Sequence, residues 1–195
     1  MNFEAQSYYH IYNQGNNSQK IFFEPRNYLF FLEKIRKLPK PAFTVIAYCL
    51  MPNHFHFLVY TDFDPSETHK QDQKMSVKIG SLLSSYTKAI NKKYDRTGSL
   101  FRAGTKSKQL VYEKDPSKSY LSTCFHYIHQ NPVRAQIVAK LKDWNYSSYK
   151  DYAGYRDGDL PDIKKGMKLM GFKDQSQLIQ ESQKALDRTS VKEIW

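Results

Sequence analysis

Residues 42–50 and 54–60 are two runs rich in aromatic and β-branched side chains, separated only by Met51-Pro-Asn53. Runs of that composition read as strands, and so short a link through proline and asparagine folds the chain back, so the two should pair antiparallel. Whatever the chain folds into has to contain that hairpin. Its second strand carries His54 and His56. Side chains alternate along a strand, so both imidazoles leave the same face, with Cα atoms about 6.6 Å apart. Rings at that spacing can close on one metal ion at roughly 2.0 to 2.2 Å per bond. They can equally be a hydrogen-bonded pair on a half-buried face.

The flanking segments supply the rest of a sheet and its helices. Ser7 to Asn13 alternates as a strand, with Tyr8, His10 and Tyr12 on one face and Tyr9 and Ile11 on the other. His10 reads as a satisfied, half-buried histidine. Asn27 is placed to cap a helix through Leu38, whose stripe is Tyr28, Phe31, Leu32 and Ile35 and which Pro39 stops. A polar loop from Thr61 to Lys74, containing a solvated His69, precedes a helix from Met75 to about Tyr94. Leu100 to Tyr112 reads as the fourth strand. Pro116 opens a third helix, which Asn131-Pro132 interrupts before a short continuation. Asp174 to Leu186 is a terminal helix. The order strand, helix, strand, strand, helix, strand, helix is that of an α+β ferredoxin-like sandwich: a four-stranded antiparallel sheet with helices on one face, here with a C-terminal extension.

Charge narrows the partner. The 195-residue chain suits one core, and its 30 Lys and Arg against 19 Asp and Glu leave a formal +11, which favours a polyanion. The basic run Lys92, Lys93, Arg96, Arg102, Lys106 and Lys108 is interleaved with Tyr94, Phe101 and Tyr112, as a groove tracking single-stranded nucleic acid would be. A solvated basic face accounts for the same lysines. Two cysteines, Cys49 and Cys124, are too few for a disulfide framework or a zinc-thiolate site. No apolar run approaches the roughly 20 residues of a spanning helix, and no secretory signal is visible, so the chain is expected in the cytoplasm.

On the third helix, Tyr127 and Asn131 stand one turn apart and point the same way. Tyr127 offers a nucleophile, Asn131 an oxygen ligand. A phenol with a pKa near 10 attacks phosphate poorly at neutral pH unless a metal ion polarises the phosphate. Against this stand plainer readings: Tyr127 as an ordinary ring, and Asn131 as the cap of the short helix after it. His126 and His129 fall on other helical faces, where they would meet solvent or phosphate.

Four motifs in order, Tyr9-His-Ile-Tyr-Asn-Gln-Gly-Asn-Asn17, Met51-Pro-Asn-His-Phe-His-Phe-Leu58, Tyr127-Ile-His-Gln-Asn-Pro-Val-Arg-Ala135 and Trp144-Asn-Tyr-Ser-Ser-Tyr-Lys-Asp-Tyr152, resemble those of the REP-associated tyrosine transposases. These are bacterial relatives of single-strand transposases with a His-hydrophobic-His site. The resemblance covers roughly the first 155 residues and implies that His54, His56 and Asn131 hold a divalent ion, magnesium or manganese. It further implies that Tyr127 attacks single-stranded DNA and keeps its 5′ phosphate. Gln14 departs from the pattern, since similar sequences commonly carry arginine there. Residues 1–140 are then the catalytic domain, and 141–195 an extension packing on it and contacting DNA in part.

The expected activity is metal-dependent nicking and rejoining of single-stranded hairpin DNA by a monomer. Lys92, Lys93, Arg96, Arg102, Lys106, Lys108 and Arg134 are the expected DNA contacts. The rivals are a non-cleaving DNA-binding protein of the same fold and an RNA-binding module whose sheet tyrosines, Tyr8 and Tyr12, stack on bases.

Overall fold

The computed structural model describes residues 1–38, 43–111 and 120–184. Four strands, β1 (Tyr8–Gln14), β2 (Thr44–Met51), β3 (His54–Tyr60) and β4 (Lys106–Leu110), form one antiparallel sheet in the order β2-β3-β1-β4. The expected hairpin is its centre: Met51 pairs with His54, so only Pro52 and Asn53 make the turn. Both turn carbonyls are used, Asn53 O by the Gly15 N–H and Pro52 O by the Ile21 and Phe22 N–H groups. The chain after β1 is thereby tied to the histidine hairpin. Gly15 allows this, because a Cβ there would lie 2.1 Å from the Gln19 carbonyl oxygen.

The α+β class and the four-stranded sheet match expectation, but helices cover both faces rather than one. On one face, α1 (Pro25–Arg36) and α2 (Thr68–Lys93) bury Tyr28, Phe31, Leu32, Ile79, Leu82 and Tyr86 against Tyr9, Ile11, Phe55, Phe57 and Val59. On the other, α3 (Tyr120–Arg134) sets Leu121, Cys124, Phe125 and Ile128 against Ala47, Cys49, Met51 and Leu58. Strand alternation dictates the division. Phe55, Phe57 and Val59 leave β3 toward α1 and α2, while His54, His56 and Leu58 leave it toward α3. Both histidines of the motif are therefore roofed by a helix.

Local boundaries differ from the sequence reading for identifiable reasons. Asn27 sits inside the first turn of α1 as the partner of the cap residue Glu24, its Oδ1 accepting from the Phe23 and Glu24 N–H groups. Helix α2 begins at Thr68, not Met75, because Asp64 caps the turn before it and its polar first turns bear Gln71–Glu67 and Gln73–His69 contacts. Pro132 lies within α3, which continues unbroken to Arg134. The fourth strand is shorter than expected, with Phe101 making only an isolated bridge to Gly15. The expected positions of Pro39, Ala42, Tyr112, Pro116 and Leu186 fall outside the described residues.

The C-terminal segment solves an edge problem. β2 is an outer strand, and its outward backbone groups would otherwise be open to another chain. Leu50 N–H bonds to Tyr146 O, Ser148 N–H to Tyr48 O, and Asp162 N–H to Val45 O, while Trp144 Nε1–H reaches Leu50 O at 3.0 Å. Beyond it come α4 (Tyr149–Tyr152), α5 (Ile163–Met170), which the sequence reading does not anticipate, and α6 (Gln175–Gln183), where Asp174, expected as the first helical residue, is the cap. Asp151, with its side chain 1% exposed, takes two hydrogen bonds from Arg156, which also binds Tyr48 Oη and the carbonyls of Asn145 and Ser147. Removing one partner leaves a buried charge uncompensated. Arg156→Met should cost about 3 kcal/mol of unfolding free energy in urea titration; an unchanged midpoint would show that the ion pair does not clamp this segment.

A candidate metal and nucleophile site between β3 and α3

Helix α3 crosses the histidine strand in a register set by simple repeat distances. One turn from Tyr127 to Asn131 advances about 6 Å, and two residues along a strand advance about 6.8 Å. Tyr127 therefore faces His56 while Asn131 faces His54. The Tyr127 and His56 ring centroids are 5.5 Å apart at an interplanar angle of 81°. Asn131 Oδ1 lies 3.4 Å from His54 Nε2. The four residues that the sequence placed on two separate elements thus share one compartment.

Hydrogen bonds define the chemistry of each imidazole. His54 Nδ1 is 2.7 Å from Asn53 Oδ1, an atom that can only accept, so Nδ1 carries the proton and Nε2 turns a lone pair toward Asn131 Oδ1. Two acceptors aimed at each other repel unless something electropositive lies between them. Ligand atoms each about 2.1 Å from one ion stand roughly 3.0 to 3.4 Å apart at octahedral to tetrahedral angles, which the observed spacing matches. Turning the Asn131 amide over would instead give an N–H···N contact, the metal-free way to satisfy the pair. As placed, Asn131 Nδ2 has no hydrogen-bond partner.

His56, fully buried, is held by a residue that the sequence reading left out of the site. His10 Nε2 lies 2.8 Å from His56 Nδ1, and the rings are nearly parallel at 5.0 Å. Tyr12 stacks on His10 in turn, at 4.7 Å. A proton on His56 Nδ1, donated to His10, leaves His56 Nε2 as the basic nitrogen, the arrangement by which an outer histidine orients a ligating one. The available signal was the strand pattern, which places His10 on the face of Tyr8 and Tyr12; what it lacked was the β1–β3 register. Burial lowers the pKa of His54 to about 4, opposed by Asn131 Oδ1, which would accept from the ring only in its protonated form, and holds His56 well below its ordinary value, with His10 and His54 adding to the effect. Neutral imidazole is the form that binds metal. Among the described residues no three His, Cys, Asp or Glu side chains are placed to hold an ion together, and the oxygen that stands near His54 Nε2 is that of the Asn131 amide.

The expected DNA contacts divide. Lys106 and Lys108, both exposed, pair across the strands with Tyr12 and His10 and so border the histidine face, and Lys108 Nζ donates to Tyr120 Oη at 2.9 Å. Arg134, in the last turn of α3, has its guanidinium carbon 6.0 Å from the Tyr127 ring centre. Arg102 N–H bonds to Gln14 O, and Gln14 pairs with His54 across the strands, which puts the departure at Gln14 beside the site. Arg96 holds Gln19 Oε1 at 2.6 Å and Lys93 pairs with Glu24, so both are spent on the protein's own surface; Lys92 is exposed at the end of α2. His126 and His129 do not meet solvent. His129 Nε2 bonds to Ser148 Oγ at 2.8 Å and His126 Nδ1 to Ser182 Oγ at 3.3 Å, fastening the back of α3 to the C-terminal segment.

No family model matches the chain. A protein of Haemophilus influenzae named "Putative REP-associated tyrosine transposase" is 24% identical over 111 residues, 55% of this chain and 59% of that protein, so the match spans less than two thirds of the relative. The fold is that of a solved REP-associated tyrosine transposase bound to a REP hairpin, with a TM-score of 0.52 and 17% identity over 83% of this chain and 91% of the other. In sequence over about half its length, and in fold, the chain is similar to REP-associated tyrosine transposases. No helix among the described residues is long and apolar enough to cross a membrane.

The buried histidines make stability depend on acid. Burial depresses His126 to about 4 and His129 to about 3, from an ordinary 6.5. Unfolding frees them to protonate, so stability is flat above about pH 7 and falls as pH drops from 6.5 toward 4, by roughly 1.4 kcal/mol per unit for each such histidine. Urea midpoints at pH 7 and pH 5 test this. A midpoint unchanged or higher at pH 5 contradicts it.

Proposed function

We propose that this chain nicks and rejoins single-stranded hairpin DNA of the repetitive extragenic palindrome type, through a covalent 5′-phosphotyrosine at Tyr127. One observation carries the reading: Tyr127 and Asn131 lie over His56 and His54 in a single compartment. The donor set suits a divalent ion, with His54, His56 and Asn131 as its holders. When bound, magnesium or manganese would polarise a backbone phosphate and offset the charge that develops on attack. The Tyr127 oxygen forms a bond to phosphorus, the bond from phosphorus to the 3′ oxygen breaks, and the proton lost by the phenol ends on the freed 3′ hydroxyl. The phosphodiester energy stays in the tyrosine ester, so re-attack by a 3′ hydroxyl reseals the strand without nucleotide hydrolysis.

His10 acts through His56, by fixing which ring nitrogen is basic. Lys106, Lys108, Arg102 and Arg134 border the compartment and supply backbone-phosphate contacts, which position the strand without reading its sequence. A non-cleaving DNA-binding role has one observation on its side: Tyr127 is 4% exposed, so a phosphate meets its hydroxyl only after the surroundings of α3 move. The RNA-binding alternative would use Tyr8 and Tyr12, which stand half-buried on the face of the sheet that α3 covers in part.

A labelled hairpin oligonucleotide incubated with magnesium or manganese should leave a protein-DNA adduct that survives denaturing electrophoresis. The adduct should vanish in Tyr127→Phe and in chelator; a parent protein that forms none, while binding the hairpin, establishes the non-cleaving role instead. His10→Phe should weaken manganese binding, read by calorimetry without DNA, by about ten-fold. Unchanged affinity would remove His10 from the site.

A further inference from the structure

The turn that joins β2 to β3 supplies His54 with a partner of its own. Asn53 stands between two groups that fix its amide. Its Oδ1 is 2.7 Å from His54 Nδ1, and its Nδ2 is 3.4 Å from the Ser18 carbonyl oxygen. A carbonyl only accepts, so the amide keeps its N–H side toward Ser18 and its oxygen toward the ring. Turned over, it would set oxygen against oxygen at Ser18. The His54 ring therefore donates from Nδ1, and the lone pair is left on Nε2.

The segment that carries the Ser18 carbonyl is held in an uncommon conformation. Asn17 and Ser18 both adopt left-handed backbone, at φ 50° and 57°, which persists only where the surroundings impose it. Here the hairpin turn imposes it. Gly15 N–H bonds to Asn53 O, the Ile21 and Phe22 N–H groups bond to Pro52 O, and Gly15 O and Asn16 O accept from Ser18 and Gln19. Gln14 Nε2 adds a bond to Ser18 Oγ at 3.1 Å. Anchors on both sides of residues 16–18 thus aim one carbonyl at the Asn53 side chain. We propose that Asn53 is a positioning residue, which locks His54 in the tautomer that offers Nε2 to a divalent ion; the assignment rests on the reading of His54 as a metal ligand given above. Because its acceptor is an amide, Asn53 orients the ring without the negative charge that a carboxylate partner would add.

The test uses the full chain without DNA and reads two quantities. Calorimetry gives manganese affinity, and long-range proton–nitrogen NMR correlation in the metal-free protein shows which nitrogen of His54 carries the ring proton. In the parent that nitrogen should be Nδ1. Asn53→Ala should weaken manganese binding about ten-fold and move the proton toward Nε2. Asn53→Asp, which keeps an acceptor at the same place in the turn, should restore the Nδ1 proton and bind manganese at least as tightly as the parent. Loss of affinity with the tautomer unchanged is what a merely structural turn residue would give. An alanine variant that keeps the parental tautomer, an aspartate variant that does not regain it, or a parent protonated on Nε2 therefore overturns the assignment, and leaves the metal site standing where the parent binds manganese. A parent that holds the Nδ1 proton yet binds no manganese overturns both the metal reading and the assignment that rests on it.

Discussion

Everything in the site depends on the packing of α3 across one face of the sheet. That helix presents apolar residues to β2 and β3 along most of its length and two polar ones, Tyr127 and Asn131, over the histidine pair. Burying imidazoles is expensive unless they stay neutral and keep their hydrogen bonds. Each of these rings has one nitrogen in a hydrogen bond: His54 with Asn53, His56 with His10, and His129 with Ser148. The same burial that depresses their pKa values keeps these imidazoles neutral at physiological pH.

The helix is positioned from behind as well as from below. Ser148 and Ser182 bond to His129 and His126, and Gln130 donates to the carbonyls of Ser182 and Lys184. The segment that supplies these partners also closes the outer edge of β2 and carries the Asp151–Arg156 pair. Sheet edge and helix back thus share one covering segment. Loosening it would shift Tyr127 and Asn131 over the histidines, and displacements of 1 Å matter at such a site. The placement of Tyr127 and Asn131 and the integrity of residues 144–184 are accordingly coupled.

Much of this was legible from residues alone where the information is local. The β2–β3 hairpin follows from two strand-like runs and a proline-asparagine link, and the convergence of His54 with His56 from strand alternation. The i, i+4 spacing of Tyr127 and Asn131 gave their common direction. What could not be read was register between distant segments. His10 becomes part of the site only because β1 lies beside β3, which sets Tyr12 opposite His56. His126 and His129 look solvent-facing until a covering segment is known, and α3 passes through Pro132 because its surroundings outweigh a local helix breaker. Helices on both faces also escaped the element order, since α3 follows the last strand and could lie on either side.

The central claim is that His54, His56 and Asn131 form one metal site beside Tyr127. Crystals grown with manganese, measured near its absorption edge, test it most directly. The account predicts an anomalous difference peak between His54 Nε2 and Asn131 Oδ1, within bonding distance of His56 and adjoining the Tyr127 ring. A map with no peak there, and with the Asn131 amide nitrogen turned toward His54, would contradict it.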